Sequence, residues 1–143
     1  MQGVHLTADL YGCLCVRTAL TDVAELSALA ERLALEAGLT VVGRQWVGFE
    51  DQPTGPGGVT GALLLAESHV AVHTWPEWDQ VTVDVYVCNL RSDNSERARA
   101  LMRALIATFE PQRVLSHELL RGAAGDAAVH GLASRTAADR AID

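Results

Sequence analysis

Between Glu67 and Cys88 the sequence reads ESHVAVHTWPEWDQVTVDVYVC and crowds Ser68, His69, His73 and Cys88 into one short stretch. Ser68, His73 and Cys88 are the groups of nucleophilic catalysis, in which a hydroxyl or thiol attacks and an imidazole moves its proton. His69 and His73, joined by Glu67 or Cys88, have the types of a zinc-ligand set. Spacing decides against the metal. On a strand the two histidines share a side but stand about 13 Å apart at about 3.3 Å per residue, too far to grip one ion. No metal is expected. Taken singly, a strand Ser or His is usually structural, and a buried Cys88 would behave as a small hydrophobe. Alternation adds a condition. Ser68 and His73 are an odd number of residues apart, so an unbroken strand points them to opposite faces, and they cooperate only where Ser68 sits in a turn or break.

The elements that must position these groups can be read from pattern. Val4 to Val16 is rich in β-formers. Asp22 followed by Glu25 makes a capping box, and Leu26, Leu29 and Leu33 recur at helical spacing until Gly38, which predicts a helix over Val23–Ala37. Leu39–Phe49 reads as a strand and Glu50–Gly58 (EDQPTGPGG) as a loop. Strands are expected over Val59–Ala66 and Val70–Thr74, flanking the Glu67–Ser68 junction, with Pro76 beyond them. Val81–Cys88 alternates, with four valines on one face and Thr82, Asp84, Tyr86 and Cys88 on the other. Ser92-Asp93-Asn94 opens a second helix that presents Leu101, Leu105 and Ile106 inward and ends before Pro111. Val114–Leu120 is a last candidate strand. Arg121–Asp143 is alanine-rich and weakly patterned, a loose helix or frayed tail. This order gives an α+β fold, a two-layer sandwich of a mainly antiparallel sheet with two helices on one face. The bare face calls for a partner, most simply a second copy in a dimer.

Composition narrows the chemistry. The 143 residues suit one domain, and 49% hydrophobic against 20% charged allows a real core. A net charge of −7 argues against nucleic acid as a partner. All eleven basic residues are arginines. Without lysine the chain has no anchor for pyridoxal phosphate, no P-loop lysine and no lysine Schiff-base chemistry. Three cysteines, an odd number, suggest no disulfide framework. The start MQGVHLTADLYG lacks a signal-peptide pattern, and no apolar run approaches the ~20 residues of a membrane span. A cytoplasmic protein without a membrane partner is expected.

The block ESHVAVHTWPEW, with DVYVC downstream and HLTADLYGC near the start, resembles the short prokaryotic form of the S-adenosylmethionine decarboxylase family, pyruvoyl enzymes made as proenzymes. The resemblance covers most of residues 5–120. It implies that Ser68 Oγ attacks the Glu67 carbonyl, that the resulting ester eliminates, and that Ser68 becomes a pyruvoyl group heading the second of two chains, 1–67 and 68–143. Such a group is the cofactor, an electron sink that needs no lysine. His73 and Thr60 would assist processing, Cys88 would protonate the product carbon, and Phe49, Trp75 and Glu77 would bind an amino-acid-like small molecule. S-adenosylmethionine is the first candidate substrate, with the product passing to spermidine and other polyamine biosynthesis. Arginine or ornithine is a second possibility, and an unprocessed, non-catalytic binding subunit a third. Three features depart from the family pattern. Thr60 stands where serine is usual and stiffens χ1, the Glu50–Gly58 loop is long, and Asn89 replaces a common glycine. The expected unit is a single domain over 1–120, with 121–143 as a tail.

Overall fold

The computed structural model describes residues 2–122. Its elements are β1 (Gly3–Cys13), α1 (Thr18–Thr21), α2 (Val23–Glu36), β2 (Val41–Gly48), β3 (Val59–Leu65), β4 (Ser68–Trp75), β5 (Gln80–Cys88), α3 (Ser95–Phe109) and β6 (Pro111–Arg121). The strands form one six-stranded sheet in the order β2-β3-β4-β5-β1-β6, with every neighbouring pair antiparallel. The expected α+β sandwich is therefore found, with α1 as an additional single turn beside the two longer helices.

Alternation builds the core. Val81, Val83, Val85 and Val87 of β5 and Val4, Ala8 and Leu10 of β1 are almost wholly buried on one face. Leu101, Leu105 and Phe109 of α3 close over them, and Leu26, Ala30 and Ala34 of α2 extend the same core over β2 and β3. Helix α2 starts where the capping signal puts it, with Asp22 accepting a hydrogen bond from the Glu25 N–H at 2.9 Å. Gly61 allows the closest approach on this face. A Cβ there would lie 1.8 Å from the Trp46 ring, so the indole of β2 packs directly on the β3 backbone.

Among the described residues the opposite sheet face carries no helix; its centre is polar, with Leu64, Leu115 and Leu119 exposed toward its edges. His5, Thr7 and Asp9 of β1 stand beside Tyr86, Asp84 and Thr82 of β5, and beyond these lie His69, Ala71 and His73 of β4. Among the described residues no helix is long and apolar enough to cross a membrane.

Several boundaries differ from expectation for local reasons. Strand β1 ends at Cys13 because the next residues turn into α1, a helix of four residues too short to leave a periodic pattern. Strand β6 runs the full Pro111–Arg121 by pairing with β1, although most of its residues are exposed. Pairing rather than burial defines it, which is why alternation marked only its middle. It also carries the domain past residue 120. The rest of the expected tail, 123–143, lies outside the described residues.

Candidate active site

Ser68 is the first residue of β4 and pairs with Leu65 across the β3–β4 hairpin. Only Ala66 and Glu67 make the turn, and Glu67 adopts φ 65°. That left-handed conformation costs a residue with a Cβ about 1–2 kcal/mol, so backbone strain is held at the residue before Ser68. The Ser68 side chain turns to the helix-covered side with Val70 and Val72. Its Oγ accepts a hydrogen bond from the Cys88 N–H at 2.9 Å, leaving the hydroxyl proton available. Cys88 ends β5 and is 8% exposed. Glu67, Ser68 and Cys88 line one cleft of about 410 Å³ together with Asn94, Arg91 and Arg97.

His73 lies elsewhere. With no break in β4, the opposite-face arrangement that alternation predicts is the one observed. His73 is on the uncovered face and about 16 Å from Ser68 along the strand, at about 3.3 Å per residue. The turn that would let them cooperate within one chain is absent, because the hairpin closes before Ser68 and not after it. His73 pairs across strands with Thr60, and its Nδ1 is 3.2 Å from Thr60 Oγ1. Thr60, expected to assist processing, thus stands beside His73 and away from Ser68.

The two residues face a second cavity, of about 420 Å³, that also contains Phe49, Trp75 and Glu77. All three expected binding residues are therefore gathered with His73 and Thr60. Phe49 is 58% exposed, so it is no core aromatic. The Trp75 ring centroid is 6.3 Å from that of His73, and Glu77 sits in the 3-10 turn Pro76–Trp78 that follows β4. The long loop forms a wall of this cavity and is internally bonded. Gln52 and Gly55 exchange backbone hydrogen bonds of 2.8 and 2.9 Å, the Phe49 N–H donates to the Gly58 carbonyl at 2.9 Å, and the Gly57 N–H donates to Asp51 Oδ1 at 3.1 Å.

Residues given no site role by the sequence pattern complete both ends. Arg17 donates to Asp79 Oδ1 at 2.5 Å and to the Pro76 carbonyl at 2.7 Å, clamping the turn that carries Glu77. Asn94 Nδ2 donates to the Cys88 carbonyl at 3.1 Å. Asn89 ties the chain after Cys88 to the start of α3, donating to Ser95 Oγ and accepting from the Asn94 N–H. Only Asn94 had a local signal, as part of a helix start. The others become visible through contacts between distant segments.

His69 shares the uncovered face with His5 and Tyr86, at ring-centroid distances of 5.9 and 5.5 Å. Burial, then the nearby His5, pushes its pKa below the usual histidine value. His5 Nε2 is 3.1 Å from Asp84 Oδ1. No group of three or more His, Cys, Asp or Glu is placed to hold a metal among the described residues. Burial, reinforced by Cys15 and Asp79, pushes the Cys13 thiol up to about 11.

A family model described as S-adenosylmethionine decarboxylase matches residues 4–122. The chain is 38% identical to the S-adenosylmethionine decarboxylase proenzyme of Aquifex aeolicus over 112 residues, 78% of this chain and 75% of that one. It is 38% identical to the proenzyme of Picrophilus torridus over 121 residues, 84% of each. The proenzyme of Archaeoglobus fulgidus is 35% identical over 120 residues, 84% of this chain and 97% of that one. The crystal structure of the Aquifex aeolicus adenosylmethionine decarboxylase is similar with a TM-score of 0.73 and 34% identity, covering 87% of this chain and 93% of that one.

Proposed function

The chain belongs to the S-adenosylmethionine decarboxylase family, whose members are pyruvoyl-dependent lyases made as proenzymes, and we propose that it cuts itself between Glu67 and Ser68 and decarboxylates S-adenosylmethionine for polyamine synthesis. The observation that carries this reading is the hairpin at the junction. Ser68 Oγ is held by the Cys88 N–H at 2.9 Å, next to a Glu67 whose backbone is at φ 65°.

These residues fit the origin of a pyruvoyl group. Ser68 Oγ adds to the Glu67 carbonyl carbon and the amide nitrogen leaves, giving an ester. Loss of the residue-68 Cα proton breaks the Cβ–Oγ bond and frees Glu67 as a C-terminal carboxylate. The dehydroalanine left behind tautomerises to an imine, takes up water and releases ammonia. Once formed, the group supplies an electron sink for the carbanion that carbon dioxide leaves. A chain without lysine gains that capacity in no simpler way. Cys88, enclosed at the end of β5, would give the product carbon its proton.

The cut also suits the topology. It falls in the β3–β4 turn, while β1 of the first piece lies between β5 and β6 of the second. The pieces 1–67 and 68–143 stay interlocked as one domain, without a new covalent tie.

His73 is the base for processing, but it acts from a second copy of the chain. Its distance from Ser68, about 16 Å along β4, speaks against direct transfer within one copy, and the helix-free sheet face leaves room for a partner. In the tautomer whose Nδ1–H donates to Thr60 Oγ1, the His73 Nε2 lone pair can take a proton. Phe49 offers its ring to the adenine, Glu77 its carboxylate to ribose hydroxyls, and Trp75 a wall between them. A cytoplasmic dimer of cleaved pairs accords with three free cysteines.

Intact mass of the purified chain tests the cut. Two pieces meeting at Glu67/Ser68 are expected, and one full-length mass overturns it. Carbon dioxide release should occur from S-adenosylmethionine, and release from arginine or ornithine instead would refute the substrate.

A further inference from the structure

Two arginines in the Ser68 cleft have no part in the chemistry above. Arg91 and Arg97 line it with Glu67, Ser68 and Cys88. Arg97 Nη1 donates to Asn94 Oδ1 at 3.0 Å, Asn94 Nδ2 donates to the Cys88 carbonyl at 3.1 Å, and the Cys88 N–H donates to Ser68 Oγ at 2.9 Å. A guanidinium is thereby linked through the Asn94 side chain and the Cys88 backbone to the attacking oxygen. Among the described residues neither arginine is in an ion pair. Among the described lining residues Glu67 is the only acidic one, so two cations face one carboxylate at this cleft.

Glu67 is the residue whose charge changes there. Before processing it carries one carboxylate, on its side chain. When the ester eliminates, the Cα proton of residue 68 passes to His73 of the second copy and the C–H electron pair forms the Cα=Cβ bond. The Cβ–Oγ bond breaks, and its electrons leave on the α-carboxylate of Glu67. The ester-forming step passes only through a transient oxyanion on the Glu67 carbonyl, whereas elimination leaves a lasting second negative charge at residue 67. A cation fixed where charge develops lowers the barrier most.

We propose that Arg91 and Arg97 form a carboxylate-receiving site that accelerates the elimination step of self-processing and then holds the new C-terminus of Glu67. The proposal rests on the cut at Glu67/Ser68. It separates two stages that depend on different groups. Ester formation needs Ser68 and the strained junction. Elimination needs somewhere for the leaving carboxylate to go.

The test is a processing time course on the full chain, followed by intact mass with and without hydroxylamine, which captures an accumulated ester as the Glu67 hydroxamate. In Arg91→Ala/Arg97→Ala, cleavage should slow about five- to tenfold, the scale of losing exposed charge-assisted contacts. A larger share of chains should then break only when hydroxylamine is added. Arg91→Lys/Arg97→Lys should recover most of the rate, because the charge remains. Wild-type cleavage by the alanine variant without ester accumulation would overturn the site. So would a lysine variant as slow as the alanine variant, since the loss would then follow shape and not charge. A wild-type chain that is never cut at Glu67 removes the cleavage reading itself, and this site with it.

Discussion

Co-expression of two inactive variants, Ser68→Ala and His73→Ala, should restore cleavage in a fixed proportion. Ser68 and His73 lie at opposite ends and on opposite faces of β4, about 16 Å apart at about 3.3 Å per residue, well beyond the ~3 Å reach of proton transfer. If each site draws Ser68 from one copy and His73 from the other, a mixed dimer contains one doubly damaged site and one intact site. With equal expression and random pairing, about half the dimers are mixed. About half of the His73→Ala chains, and so about one quarter of all chains, should then be cut. The two variant chains differ in mass, so intact mass spectrometry reads which of them has broken. Expression together matters, because the copies must meet before either is trapped in a uniform dimer. Each variant alone should remain whole. No cleavage in the mixture, with mixed dimers shown by a tag on one copy, would mean that the base reaches Ser68 within its own chain. The separation along β4 would then have misled.

Arg17→Ala should raise the KM for S-adenosylmethionine several-fold while leaving cleavage at Glu67 intact, because Arg17 holds the turn bearing Glu77 and is remote from Ser68. Steady-state kinetics beside intact mass separates the two, and loss of cleavage would refute the assignment. Gly61→Ala should destabilise the protein by about 1–3 kcal/mol through overpacking, since the new Cβ would lie 1.8 Å from Trp46; an unchanged midpoint in urea would contradict that packing. His69 has a pKa below its unfolded value, so the unfolded chain binds more protons and stability rises with pH through that window. The contribution is complete above about pH 6.5 and is lost as pH falls toward the lowered folded value. The melting-temperature gap between wild type and His69→Gln should therefore shrink on acidification, and parallel curves would exclude His69 as the cause.

Much of this architecture could be read from local pattern. The valines of β5 alternate cleanly because one face is buried and the other is not, and the Asp22 cap announces α2 because an exposed helix end must satisfy its own N–H groups. Strand β6 was legible only in part, since an edge strand held by pairing shows little apolar alternation. The candidate site divides in the same way. Ser68, His73 and Cys88 were visible as types at fixed spacing, and their opposed faces followed from the period of two. Arg17, Arg91 and Arg97 were not visible, because a surface arginine gives no local sign of what the fold sets beside it. Thr60 could be matched to a family position, yet its service to His73 and not to Ser68 needed the register of β3 against β4.

That register has a consequence for the long loop. Thr60 follows Gly58 by two residues, so any slack between Phe49 and Gly58 would reach the Thr60–His73 pair and the aromatic wall together. The loop removes the slack by bonding to itself. Its base is closed by the Phe49 N–H on the Gly58 carbonyl, its tip by the Gln52–Gly55 pair, and its return by Asp51 on Gly57. Extra residues thus enlarge the cavity wall without loosening the strands that enter and leave it. Cutting the loop back to a short turn should alter which ligands the cavity admits more than whether Ser68 is processed, because processing draws its strain from the Glu67 turn at the far end of β3.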